Sequence, residues 1–161
     1  MKQLTFISIV LIIIILSACK KYSEGPSISF KSAEKRLVNT WKFQNITRDG
    51  NDITSDYANN YIEFNSSGTT RFYTPDATYS GTWTLNDKNK KISIIIKGLL
   101  YDKYYTYNFE DNITMSGDIV MLKSKEIKFS LNVTDYLKGY VISQYIEETT
   151  TSTQTWDLII K

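Results

Sequence analysis

The chain has 161 residues, of which 42% are apolar, and its formal net charge is only +2. This length suits one domain with a buried core, and the interspersed charges do not indicate a nucleic-acid partner. One cysteine and no histidine exclude an intrachain disulfide, Ser-His-Asp and Cys-His catalysis, and histidine zinc sites. An enzyme is therefore the least favoured class, and we predict a protein without catalytic activity.

The N-terminus has the pattern of a secretion signal. Lys2 provides a positive start, and residues 4–16 are almost unbroken apolar sequence. This run is shorter than the about 20 residues that span a bilayer core. Its length and its flanking residues are those of a signal peptide.

The end of this signal resembles a bacterial lipobox, Leu16-Ser17-Ala18-Cys19. The resemblance implies removal of residues 1–18 by cleavage between Ala18 and Cys19, followed by acylation of Cys19. Three acyl chains would anchor the protein firmly, since each buried CH₂ contributes about 0.8 kcal/mol. Because Lys2 leaves with the signal, 18 basic and 17 acidic side chains remain. Lys20, rather than an aspartate, follows the cysteine, which favours the outer membrane and leaves its periplasmic face and the cell surface both open.

A tether and a short helix are predicted next. Residues 19–29 are mostly polar and contain Gly25-Pro26, which is typical of a linker between a lipid anchor and a folded domain. Ser32 is a good helix-capping residue for a helix over residues 33–38. We predict that residues 30–161 form the single folded domain.

From Trp41 onward the apolar positions repeat every two residues, which predicts half-buried antiparallel strands. Clusters of turn-forming residues separate these segments into about eight to ten strands. The clusters are residues 49–52, 66–68, 75–76, 86–89, 116–118 and 138–139, with a threonine-rich loop expected at 149–153. We predict an all-β fold, an antiparallel up-and-down β-barrel with a short N-terminal helix, and the alternative is a two-sheet β-sandwich.

Three segments together resemble the lipocalin-like domains of Gram-negative lipoproteins. They are Lys-Arg-Leu-Val-Asn-Thr-Trp at residues 35–41, Tyr-Ser-Gly-Thr-Trp-Thr-Leu at 79–85, and Trp-Asp-Leu at 156–158. The resemblance implies a cup-shaped barrel with an apolar interior. It also implies that Trp41 packs across the closed end of that barrel.

Aromatic and basic residues provide candidate ligand contacts. Phenol and indole groups suit a cavity that holds an amphipathic molecule, although packing in the core is the alternative explanation for the same residues. Arg71 is a further candidate for the mouth of the barrel. The candidate ligand-binding residues are Tyr73, Trp83, Tyr101, Lys103, Tyr105 and Tyr107.

No catalytic residue, metal ligand or cofactor is predicted. Asp49 and Asp52 lie close together but lack the full twelve-residue calcium loop, and no phosphate-binding loop occurs.

Two function classes therefore remain. In the first, a membrane-anchored barrel binds a small apolar or amphipathic ligand in the cell envelope, which requires a cavity of at least about 300 Å³. In the second, a packed barrel acts through its surface as an accessory, inhibitor or protein-interaction module with an envelope partner. That class predicts an exposed apolar patch of several hundred Å².

Overall fold

The protein forms a closed eight-stranded antiparallel β-barrel, as seen in a computed structural model that describes residues 22–24, 30–98, 110–141 and 144–161. The prediction of an all-β up-and-down barrel is confirmed, and the two-sheet sandwich was wrong. The elements are α1 (Ala33–Leu37), β1 (Asn39–Arg48), β2 (Asn51–Asp52), a 3-10 helix (Thr54–Tyr57), β3 (Tyr61–Phe64), β4 (Thr69–Tyr73), β5 (Thr78–Asn86), β6 (Lys91–Lys97), β7 (Glu110–Leu122), β8 (Glu126–Val141) and β9 (Gln144–Ile160).

Pairing between β1 and β9 closes the barrel. From β3 to β9 each strand pairs with the next one along the chain, and β1 pairs with β3 on one side and β9 on the other. The β1–β9 register runs from Trp41 opposite Ile160 to Arg48 opposite Gln154. The short β2 pairs only with the end of β1. Closure covers the edge that β1 and residues 154–160 of β9 would otherwise expose, whereas residues 144–153 of β9 have β8 as their only strand partner among the described residues.

The two ends of the barrel differ. Helix α1, the turns at residues 65–68, 87–90 and 123–125, and the C-terminus lie at one end, which we call the closed end. The β1–β2 hairpin, the 3-10 helix and the far halves of β8 and β9 lie at the other, the open end. Ser32 caps α1 by accepting a hydrogen bond from the Lys35 backbone N–H at 3.2 Å. The helix ends at Leu37, one residue before the predicted end, because Val38 adopts extended backbone angles.

Trp41, near the start of β1, is fully buried. Its indole Nε1–H donates to the Leu37 carbonyl oxygen at 2.8 Å, which joins β1 to α1. The Arg36 guanidinium donates to the Leu122 carbonyl oxygen at the end of β7. Helix and barrel are therefore held together by hydrogen bonds as well as by packing.

Three segments predicted as turns or loops are strand instead. Residues 116–118 lie inside β7, residues 138–139 inside β8, and residues 149–153 inside β9. Gly117 allows a close approach between strands, since a Cβ atom there would lie 2.0 Å from the Ser130 carbonyl oxygen. The threonines suit extended backbone because they are β-branched. The barrel strands number eight rather than ten because β7, β8 and β9 are 13, 16 and 17 residues long.

Candidate functional site: a cavity at the open end

A cavity of about 290 Å³ lies inside the barrel at its open end. Its apolar walls come from inward-facing strand residues, which alternation along each strand directs to the interior. These are Phe72, Ile96, Ile113, Met115, Val133 and Trp156. The volume is just below the about 300 Å³ at which ligand pockets ordinarily begin, so the cavity suits a small molecule.

An aromatic cluster packs beside and beneath the cavity. Phe43 is buried, and its ring centroid lies 5.2 Å from that of Trp156, 5.8 Å from Phe72 and 5.3 Å from Tyr57. The tilted and edge-on arrangements are those that aromatic rings prefer. Three of these rings, Tyr57, Phe72 and Trp156, line the cavity, and the contacts with Phe43 join them to the hydrophobic core.

Polar groups gather on one side of the cavity. Arg48, the last residue of β1, donates from a guanidinium nitrogen to the Tyr57 hydroxyl oxygen at 3.4 Å. Asp135 of β8 and Asp56 also line the cavity. The Oδ1 atom of Asp135 is buried and has no hydrogen-bond partner among the described residues. Buried polar atoms normally have a partner, so this oxygen is an acceptor that a ligand could satisfy.

Burial raises the pKa values of two of these groups, Asp135 and Tyr57. Desolvation raises the pKa of Asp135, and the positive charge of Arg48 opposes that change. Desolvation also raises the pKa of the Tyr57 phenol, again with Arg48 opposing it. Both directions follow from the cost of holding a negative charge away from water.

Gln154 adds an oriented amide to the lining. The residue is 4% exposed, and its Oε1 atom accepts a hydrogen bond from the Trp156 indole Nε1–H at 2.8 Å. This bond holds both side chains in place against the cavity.

The structure does not bring the described candidate residues to this cavity. Tyr73 lies outside the barrel wall, where its ring stacks on Tyr61 with centroids 4.4 Å apart. Its hydroxyl donates to Glu63 at 2.8 Å, which raises the pKa of Tyr73. Arg71 is exposed, 3.9 Å from the same carboxylate.

Trp83 belongs to the core near the closed end. It is 5% exposed, its Nε1–H donates to the Asn65 carbonyl oxygen at 3.0 Å, and its ring packs edge-on against Phe64. The remaining candidates lie outside the described residues; they are Ala18, Cys19, Tyr101, Lys103, Tyr105 and Tyr107.

Sequence reasoning missed Arg48, Tyr57 and Asp135. A signal for Asp135 was present, because Ile127, Phe129, Leu131 and Val133 alternate inward and Asp135 continues that series. For Arg48 the signal was obscured, because a bulge between Phe43 and Asn45 changes the register against β9. Tyr57 lies on a 3-10 helix, which period-two reasoning does not detect.

The cavity has no metal centre or membrane span beside it in the described part of the chain. Across residues 22–24, 30–98, 110–141 and 144–161, no three Cys, Asp or Glu side chains come together in a way that could hold a metal ion. Within those ranges, no helix has the length and apolar character that crossing a membrane requires. Comparisons with protein-family models, with curated proteins and with solved structures gave no match.

Proposed function

We propose that this protein is a lipid-anchored, lipocalin-like binding module of the bacterial envelope that holds a small amphipathic ligand in the open-end cavity. The observation that carries the proposal is the pairing of an apolar cavity of about 290 Å³ with the unpartnered Asp135 carboxylate oxygen. The lipobox at residues 16–19 supports the anchor and an outer-membrane location. No catalytic step is part of the proposal.

The cavity defines the ligand class. A cavity of about 150 Å³ holds benzene, so about 290 Å³ provides room for an apolar group of roughly two fused rings. The buried oxygen of Asp135 calls for a hydrogen-bond donor on that group. The ligand is therefore a small apolar molecule with an amine, amide or hydroxyl donor, which Arg48 and Tyr57 would flank.

Among the residues that the structure describes, the patch required by the surface-acting alternative is not found. In the described part of the chain, the exposed large hydrophobic residues are Phe30, Ile95 and Ile160. They belong to the segment before α1, to β6 and to the end of β9. Scattered single residues of this kind are normal on a soluble surface, so the cavity is the better-supported site.

A pair of fluorescent probes tests the ligand class. 1-Naphthylamine carries a donor and naphthalene does not, while their apolar parts are the same. We expect 1-naphthylamine to bind more tightly to the wild-type chain by about tenfold or more, because a hydrogen bond to a charged group contributes about 1.5–3 kcal/mol. Asp135→Ala should make the two affinities equal. Equal affinities in the wild type would contradict the assigned role of Asp135.

A cavity-filling variant and a matched surface variant test whether the probes bind inside the cavity. Val133 lines the cavity and is buried, so Val133→Phe should abolish binding of both probes. Ile95→Phe adds similar bulk on the outer face of β6 and should leave binding unchanged. Binding that survives Val133→Phe would place the ligand elsewhere. Failure of both probes to bind the wild type, with no molecule found by native mass spectrometry of material from the native host, would favour the surface-acting class.

The anchor is tested separately from the cavity. Full-length chain grown in a Gram-negative host with radiolabelled palmitate should incorporate the label and fractionate with the outer membrane, whereas Cys19→Ser should do neither. Label in the Cys19→Ser variant, or none in the wild type, would contradict acylation at this residue.

A further inference from the structure

The small net charge of the chain conceals a separation of charge between the two ends of the barrel. The closed end carries exposed lysines on α1 and on two turns, which are Lys35, Lys88, Lys90, Lys123 and Lys125. Glu34 and Asp87 are the acidic residues on the same elements. At the adjoining strand ends, Glu126 pairs with Lys123 at 2.7 Å, and Asp118 lies opposite Lys91. Cations therefore outnumber anions on these three elements.

The open end has the opposite sign. Among its residues whose side chains the structure describes, the acidic ones are Asp49, Asp52, Asp56, Asp76, Asp135, Glu147 and Glu148, while Arg48 and Lys97 are the basic ones. A barrel with one basic and one acidic end is oriented by any charged surface that it approaches.

The N-terminal segment is attached to the basic end. Tyr22 is 5% exposed, and its hydroxyl donates to the Asn89 carbonyl oxygen in the 87–90 turn at 3.1 Å. The backbone N–H of Glu24 donates to the Val120 carbonyl oxygen near the end of β7 at 2.8 Å. The Arg36 guanidinium lies over the Tyr22 ring, 5.6 Å from its centroid.

This attachment limits the distance between Cys19 and the barrel. Cys19 precedes Tyr22 by three residues, and three residues span at most about 11 Å even when fully extended. An acyl group on Cys19 would therefore hold the lysine-rich closed end within roughly one Debye length of the lipid headgroups, where their charges act on one another.

We propose that the closed end of the barrel docks on an anionic lipid surface and that the cavity at the open end faces away from that membrane. The proposal rests on the acylation of Cys19 in the proposed function. The recognised chemistry is the phosphate of anionic headgroups, which attracts basic side chains close to the bilayer. The acidic open end is repelled by the same surface, so both ends favour one orientation.

Energy transfer to a lipid dye tests this orientation in the full-length acylated chain. Cysteine is introduced at the closed end by Ser124→Cys or at the open end by Thr149→Cys; both positions are exposed. The donor dye is attached to that thiol, and the acceptor is in vesicles of phosphatidylcholine alone or with equimolar phosphatidylglycerol. Thr149 pairs with Tyr136, ten residues along β8 from its start, so the two dyes differ in height by about 25 Å.

In the anionic vesicles we expect strong transfer from the Ser124→Cys dye and weak transfer from the Thr149→Cys dye. The difference should shrink in phosphatidylcholine vesicles and at high salt, because salt screens charges that are not buried. Replacing Lys88, Lys90 and Lys125 with Gln should lower the ratio of docked to undocked protein by up to about a hundredfold. Replacing Lys42, Arg71 and Lys97 with Gln removes the same charge away from the closed end, from the barrel wall (Lys42 and Arg71) and from the open end (Lys97), and should not weaken docking.

Equal transfer from both dyes, stronger transfer from Thr149→Cys, or equal effects of the two triple variants would overturn the proposal. Labelling of the wild-type chain, whose only thiol is Cys19, shows separately whether that residue is acylated. If Cys19 is acylated, the wild type takes up no dye and stays with the vesicles at high salt. Dye on the wild type would overturn the anchor, and with it the orientation that rests on it.

Discussion

Asp135 is a half-buried charged residue that the fold directs toward an apolar interior, and Arg48 is an exposed charged residue at the rim of the same cavity. Each continues an inward-facing series on its strand, Asp135 after Val133 and Arg48 after Ile46. A charge in such a position costs stability unless it is paired. Arg48 and Asp135 lie at the same cavity and influence each other electrostatically. The cost is consistent with a binding role, since binding sites often retain groups that stability alone would not select.

The raised pKa of Asp135 predicts a pH dependence of stability. In the unfolded chain this carboxyl titrates near 3.8, and burial raises its pKa in the native state. Between these two pKa values the native state binds more protons than the unfolded chain, so this residue's contribution to the free energy of unfolding falls as the pH rises through that window. We expect Asp135→Asn to be more stable than the wild type at neutral pH, with a smaller difference in acid.

Urea unfolding at a series of pH values measures this effect. Asp76→Asn removes the same charge at an exposed turn and is the matched control. If Asp135→Asn and Asp76→Asn change stability equally across the pH range, the pH dependence does not come from burial of Asp135.

Trp41 joins the helix to the barrel, and we expect its replacement to lower the free energy of unfolding. Trp41→Phe removes the donor to the Leu37 carbonyl oxygen and leaves empty volume at a fully buried position. We expect a loss of about 2–4 kcal/mol in the free energy of unfolding, from an unsatisfied buried carbonyl and a cavity. Chemical denaturation followed by circular dichroism measures it. Ile95→Val, on the exposed face of β6, should change stability by less than about 0.5 kcal/mol; a similar loss in both variants would contradict the role of Trp41.

At the scale of elements, β7 and β8 approach each other closely at Gly117. The missing side chain there permits this approach, because the backbone of Ser130 occupies the space that a Cβ atom would need. A residue type that usually marks turns therefore marks close contact between strands in this barrel.

Gly117→Ala should destabilise the barrel by about 3 kcal/mol or more, since backbone atoms cannot move aside as a flexible side chain can. Gly50→Ala is the informative comparison. Gly50 has a φ of +82° in the β1–β2 turn, and a Cβ atom added there would meet no other group within 4 Å, so only backbone strain of about 1–2 kcal/mol is expected. Thermal unfolding of both variants measures the two losses of stability. Equal losses would show that steric overlap at Gly117 does not cause the destabilisation of Gly117→Ala.

At the scale of the whole molecule, the barrel is stabilised across the join between its first and last strands. Lys161 donates its backbone N–H to the Thr40 carbonyl oxygen at 3.1 Å, and its ammonium lies 3.4 Å from the Tyr61 ring centroid. The register of β1 and β9 extends from Trp41 opposite Ile160 to Arg48 opposite Gln154, so residues 154–160 of β9 are paired on both sides.

Closure predicts that β1 and β9 unfold together with β8. Backbone amides of β1 that face β9 should exchange with deuterium as slowly as those of β8, because the β1–β9 pairing closes the barrel around them. Residues of β2 and the 3-10 helix should exchange faster, since they pack on the barrel only locally. Hydrogen exchange with mass spectrometry measures this, and rapid exchange throughout β1 would show that the join opens independently.

Much of this architecture follows from local sequence. Alternation at residues 92–96 and 127–133 predicts inward and outward faces, and Ser32 predicts the helix start that is observed. The interpretation of residues 116–118 and 138–139 as turns failed because Gly serves both turns and close strand contacts, and a single strand does not reveal its neighbour. Tyr73 does not reach the cavity because it lies on the outer face of β4, opposite to the buried Phe72. Trp83 faces inward but lies away from the cavity, since alternation gives a face but not a height within the barrel.

The sequence by itself determined the all-β class, the short N-terminal helix and the absence of thiol and histidine chemistry beyond Cys19, because these depend on residue type and on local periodicity. Only the tertiary structure decided that the barrel closes through β1 and β9, that Arg48, Tyr57 and Asp135 meet in one cavity, and that lysines from separate turns collect at the end where Tyr22 is held. Those features join residues distant in the chain, and strand pairing with its register determines which of them meet.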